Sequence, residues 1–212
     1  MILMAGAAAL SAQQAGQWTA GARLGAAFGF NDSMDMGNDF DEPGHFVSDE
    51  MLVNFNIAVY GAYAFTDRIS VQAELNFMIN QGYTKRVVYE DVVERLTEVT
   101  YSSVDIPILL RFNFLNSPSA FGILAGPHIS IPLGRAQIII DGTIEQVEID
   151  SSATFGITAG LFGGVRLGPG RIMGDLRFIF DFNSSEERQM EESLAFMRRR
   201  ALLFTLGYEI SF

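Results

Sequence analysis

Cysteine is absent from this 212-residue chain, which excludes a disulfide framework and any thiol chemistry while permitting an oxidising compartment. Lysine is almost absent: Lys85 stands alone beside thirteen arginines. A soluble β-protein would normally cover its outer face with Lys and Glu. No apolar run reaches the ~18 residues of a membrane-spanning helix, although 49% of residues are hydrophobic and the mean hydropathy is +0.21. The hydrophobicity is therefore dispersed. No basic residue precedes Arg23, and neither a phosphate loop nor a zinc motif occurs. The net charge of −11 argues against a nucleic-acid partner.

What is present is alternation. From Met51 to Phe65, Val53, Phe55, Ile57, Val59, Tyr63 and Phe65 share one face, while Asn54, Asn56, Ala58, Tyr60, Ala62 and Ala64 share the other. Ile69 to Asn80 and Val104 to Phe114 repeat the split. Further strands are expected near 17–30, 120–132, 153–167, 172–183 and 200–212, eight in all. Segments of this length exceed the ~5 to 6 residues of ordinary strands and suit the ~9 to 11 of a tilted membrane strand. Tight connections at Thr66 to Arg68, Leu115 to Ser119 and Gly168 to Arg171 alternate with long polar segments near 31–50, 83–100, 134–152 and 184–200. Those long segments hold nineteen acids against eight Lys and Arg, so they carry the whole net charge. The pattern predicts an all-β fold: an eight-stranded antiparallel transmembrane β-barrel over 17–212 with short periplasmic turns and long extracellular loops. Residues 1–12, apolar and ending in Ser11 and Ala12, read as a signal peptide or its remnant.

The final residues, Thr205 to Phe212, alternate strictly and end on an aromatic. Thr205, Gly207, Ile210 and Phe212 resemble the C-terminal insertion signal of bacterial outer-membrane barrels. Tyr101 to Phe114, Ile123 to Pro127 and Phe155 to Gly164 resemble the outer-membrane protein β-barrel domain family, the porin-like and PorT-like group broadly similar to OmpX and the OmpA membrane domain. The resemblance implies the outer membrane of a diderm bacterium, with membrane lipid and the barrel-assembly machinery as partners. It implies no catalytic residue and no cofactor.

Within the predicted strands, Arg23, Arg111, Arg166 and Arg177 and Glu74, Asp105, Asp175, Asp181 and Glu209 all fall on the polar face. If that face lines the lumen, these charges must pair, because isolated buried charges are costly. A soluble lipocalin-like barrel is the structural alternative, with the apolar face inside instead. Two aromatic girdles are expected: Trp18, Phe65, Phe112, Phe114, Phe121 and Phe212 at the short-turn rim, and Phe28, Phe30, Phe180 and Phe182 near the other.

Three constellations invite chemistry. The acidic stretch Asn31 to Glu50 lacks EF-hand spacing and reads as a solvated loop rather than a metal site. His128 and Ser130 match the His-x-Ser pair of outer-membrane lipid A deacylases, but a hydrogen-bonded lumenal histidine is the plainer reading. Ser184 to Arg200 places acids before cations, as suits a short surface helix. An interior of eight strands is just filled by side chains. The expected function is therefore a structural or surface-interaction role for a monomeric barrel whose loops meet an extracellular or host ligand, and not an enzyme. A narrow channel for small or hydrophobic solutes is the second reading, a lipid-modifying enzyme the third.

Overall fold

The computed structural model describes residues 15–30, 46–50, 53–89, 92–115, 119–140, 143–148, 153–182 and 200–212. Ten strands follow one another: β1 (Trp18–Phe30), β2 (Phe46–Glu50), β3 (Val53–Ala64), β4 (Ile69–Tyr89), β5 (Val92–Leu115), β6 (Ser119–Ile140), β7 (Thr143–Glu148), β8 (Thr154–Leu167), β9 (Gly170–Asp181) and β10 (Arg200–Ser211). Antiparallel pairing runs β1–β3–β4–β5–β6–β8–β9–β10 and returns to β1, so eight strands close a barrel. The closing seam is continuous from Thr19 opposite Ser211 to Phe30 opposite Arg200. Beyond it, Trp18 and Phe212 exchange backbone hydrogen bonds of 2.9 and 3.1 Å.

Burial decides which face is inside. Along β3 exposed and buried residues alternate, with Asn54, Asn56, Ala58, Tyr60, Ala62 and Ala64 inward and Val53, Phe55, Ile57 and Val59 outward. The other strands do likewise: Ile108, Leu110, Ile123, Leu161, Phe204 and Leu206 are exposed, whereas Gln72, Glu74, Arg111 and Arg177 are buried. A soluble lipocalin-like barrel would show the reverse, so that alternative is removed. The outward apolar band on β4 runs from Ile69 to Leu75, Phe77 and Ile79, a stretch of strand that spans about 25 Å when tilted. Aromatic rings collect at the short-turn rim, where Trp18 and Tyr63 lie 4.9 Å apart and Phe114 and Phe121 6.0 Å apart. At the opposite rim Phe180 and Phe182 lie 5.5 Å apart, while the side chain of Phe30 lies outside the described residues.

Three of the four long segments are corrected. Residues 83–100, expected as a loop, continue β4 and β5 as a hairpin in which Tyr89 pairs with Val92. In 134–152, β6 runs on to Ile140 and pairs with β7. Within 31–50, β2 pairs with β4. The physical reason is composition: Val87, Val88, Tyr89, Val92 and Val93, and Ile138, Ile139 and Ile140, favour strands. Asp141-Gly142 is also a two-residue hairpin signal. Net charge on these segments obscured both. The hairpins leave the wall at irregularities: Asn80 has φ 56° at the register shift between Met78 and Gln81, and Gly134 has φ 73°. The Asn80 bulge exchanges the faces of β4, so Gln81 points inward after Met78. The expected signal segment 1–12 and the expected surface helix over 184–200, except Arg200 itself, lie outside the described residues.

Candidate functional site

Among the described residues, charged and polar side chains converge in the lumen, and its centre is built on Arg177. This residue is 1% exposed, a position tolerable for a cation only with close anionic partners. Its guanidinium grips Glu74 of β4 with two bonds of 2.7 and 2.9 Å. It also donates to Asp175, two residues away on β9, at 2.9 and 3.1 Å. Arg23 of β1 joins the same two acids, donating to Glu74 at 2.8 Å and to Asp175. Thr205 of β10 donates to Asp175 at 2.9 Å, Asn76 donates to Glu74 at 3.2 Å, and Gln72 also donates to Glu74. Two cations and two anions from three strands thus neutralise one another across the barrel interior.

A second centre surrounds Glu209. Tyr60 donates to its carboxylate at 3.0 Å, Arg111 approaches at 3.4 Å and Arg171 at 3.8 Å. Arg111 donates to the Gln72 carbonyl oxygen at 2.8 Å, so the Gln72 amide couples the two centres. The Arg23 guanidinium lies 4.1 Å from the centroid of the Tyr60 ring, and that of Arg111 4.3 Å from the Phe162 ring. Two apolar clusters also lie in the interior, one of Leu109, Ala120, Leu124, Phe162 and Met173 and one of Ala27, Met78, Ile179, Ala201 and Leu203.

Two smaller groups lie toward the long-segment end. His128 Nε2 sits 2.6 Å from Asp181, and its Nδ1 sits 3.1 Å from the Thr158 hydroxyl. Gln81 donates to Ser103, which donates to Asp105 at 2.9 Å. The ring nitrogens of His128 are thus engaged by Asp181 and Thr158, the arrangement of a hydrogen-bonded lumenal histidine.

Of the nine charges read on the polar face, Arg23, Glu74, Arg111, Asp175, Arg177 and Glu209 come together in the two central groups. Asp105 and Asp181 are buried but belong to the smaller groups. Arg166 departs from the expectation: it is exposed at the short-turn rim, opposite Arg171. Sequence reading missed Arg171, which it placed in a turn, and the connectors Tyr60, Gln72 and Asn76. All of them share the inward parity that selected the others. Among the residues of the C-terminal signature, Thr205 is buried against Asp175, and a Cβ on Gly207 would lie 2.6 Å from Arg23 Cβ. Ile210 and Phe212 face outward, Phe212 at 75% exposure. Among the described residues no group of three or more His, Cys, Asp or Glu is placed to hold a metal ion. Most of the acidic stretch 31–50 lies outside them.

A family model for the outer membrane protein beta-barrel domain matches residues 11–187. Among solved structures, the outer membrane protein OprG of Pseudomonas aeruginosa is similar at 11% identity, covering 94% of this chain and 97% of that one with a TM-score of 0.50. Neisserial surface protein A is 12% identical over 93% and 99%, with a TM-score of 0.48. Ail, the attachment invasion locus protein of Yersinia pestis, is 12% identical over 93% and 100%, with a TM-score of 0.45. No curated protein sequence matches the chain.

Proposed function

The chain belongs to the outer membrane protein beta-barrel domain family and resides in the bacterial outer membrane, and from that premise we propose that it is a closed, non-enzymatic barrel serving surface interaction. The observation that carries this is the interior itself. Arg177, Arg23, Glu74 and Asp175 cross-link β1, β4 and β9 through the lumen at 2.7 to 2.9 Å, and a hydrated channel would need that arrangement dismantled. The acidic segments 31–50, 83–100, 134–152 and 184–200 stand on the extracellular side, as a surface for a ligand or host partner. The barrel works as a monomer, contacting lipid through its outward apolar band and the assembly machinery through its C-terminal strand.

Planar-bilayer recording tests the reading. The purified barrel should give no steady conductance. Large, stable steps would replace this proposal with the narrow-channel reading.

A further inference from the structure

Past the membrane band the wall continues on one side, and it ends there in a strand edge. The outward apolar row of β6 runs from Phe121 to Leu133, about 40 Å of tilted strand, which already spans an apolar band of about 25 Å. β7 lies beyond that row. It pairs with the far part of β6, from Arg135 opposite Glu148 to Ile140 opposite Thr143, without a register shift. The same stretch of β6 is held by β5 on its other side, where Gln137 faces Thr100 and Ile140 faces Thr97, so β7 rests on a fixed platform. Its far side is different. Among the described residues β7 pairs with β6 alone, while β9 ends at Asp181, opposite Gly156, and β10 begins at Arg200.

Alternate residues of an antiparallel strand turn their N–H and C=O groups away from the partner, so an edge strand is a template for one more strand. Edges kept from pairing are commonly blunted by Lys, Pro or a bulge. Thr143 to Glu148 (TIEQVE) has none of these. Ile144 on β7 is 65% exposed, and it stands opposite Ile139, six residues beyond Leu133 on β6 and so outside the lipid-facing row. Residues 135–150 hold Asp141, Glu145, Glu148 and Asp150 against Arg135 as their one base. A basic strand is therefore attracted to this edge, whereas a second copy of the chain would bring acid to acid. We propose that β7 is the docking strand for an extended, basic segment of another protein, which adds to the sheet edge through backbone hydrogen bonds and covers Ile144 with an apolar side chain. The inference rests on the surface-interaction reading and names the chemistry of its partner.

The test uses the full barrel in detergent micelles and two capped heptapeptides, one alternating Lys with Val and one alternating Glu with Val. Amide hydrogen exchange of the barrel is followed by NMR as each is added. The Lys-Val peptide should bind saturably and slow exchange at alternate amides of 143–148, while the Glu-Val peptide should not. Ile144→Lys, which replaces the apolar anchor by a cation at an exposed position, should weaken binding about tenfold. Arg68→Gln, in a turn at the opposite end, should leave it unchanged. Heat-shifted electrophoretic mobility shows that each variant is folded. Equal binding of the two peptides, protection at β2 rather than β7, a folded Ile144→Lys barrel that binds like the parent, or dimers joined through β7 would overturn the inference. A barrel that conducts sinks the surface-interaction reading instead. A non-conducting barrel whose β7 amides go on exchanging leaves that reading standing and removes the docking strand.

Discussion

Tyr60 reaches Glu209 over the top of Gly21. On β1, Gly21 is paired with Tyr60 on one side and Glu209 on the other, and the phenol crosses the gap to donate a 3.0 Å hydrogen bond. A Cβ on Gly21 would lie 2.3 Å from Tyr60 Cζ, far inside van der Waals contact with the ring. The same device recurs at Gly156, which lies between His128 and Asp181 and whose Cβ would strike the imidazole. In so narrow an interior, a glycine on the middle strand lets side chains of its two neighbours meet.

Gly21→Ala should therefore overpack the lumen and destabilise the barrel by about 1 to 3 kcal/mol. Gly61, on the outward face with nothing within 4 Å of a built Cβ, supplies the control: Gly61→Ala should be neutral or stabilising by up to about 1 kcal/mol. Urea unfolding in lipid vesicles would compare them, and equal stabilities would mean that Tyr60 is not held across Gly21.

Arg177 tests the central charges. Removing it leaves Glu74 and Asp175 sharing Arg23 alone, and breaking a buried ion pair costs about 3 to 5 kcal/mol. Arg177→Met should lose stability on that scale in the same unfolding assay. Asp67→Asn, exposed in the short turn between β3 and β4, should change it by at most about 1 kcal/mol, as surface charges do. A tolerant Arg177→Met barrel would point to water rather than Arg177 as the group satisfying these acids.

The membrane architecture was legible because period-two alternation survives on every wall strand, from Met51 to Phe65 through Thr205 to Phe212. Parity alone marked Glu74, Asp175 and Arg177 as facing one side. It could not pair them, because Glu74 on β4 and Arg177 on β9 meet only when closure brings separated strands across the lumen. Arg166 shared the parity and still stayed exposed, since parity carries no information about depth along the strand. Gln72 and Tyr60 were legible as inward positions, but their roles as connectors depend on which charges surround them. Reading charged segments as loops concealed the β4–β5 hairpin, where Lys85, Arg86 and Arg95 interrupt an otherwise strand-forming run. The bulge at Asn80 reversed the alternation beyond it, which no fixed period anticipates.

Topology gives a cleavage prediction. The proposed topology puts Arg188, Arg198 and Arg199 outside the cell and Arg68 in a periplasmic turn. Trypsin added to intact cells should cut within 184–200 and spare Arg68, with fragments sized by mass spectrometry. Cleavage at Arg68 in intact cells would invert the orientation.

Assembly is the final prediction. Phe212 is exposed at the end of the last strand, paired with Trp18 at the seam that closes the barrel. Its ring is free to be read by an assembly factor before closure and to lie in the aromatic girdle afterwards. Thr205 and Gly207 of the same signature have lumenal duties that explain them without any receptor: one donates to Asp175, the other makes room for Arg23. The signature should therefore split. Thr205→Val and Gly207→Ala should lower the stability of barrels that still assemble. Phe212→Ala should reduce the amount of heat-shifted barrel in the outer membrane while leaving the stability of what does assemble nearly unchanged. Phe204, outward-facing and exposed on the same strand, is the control for a lost aromatic at the lipid surface. If Phe204→Ala and Phe212→Ala give equal yields in cells, the terminal aromatic has no role beyond its contact with lipid.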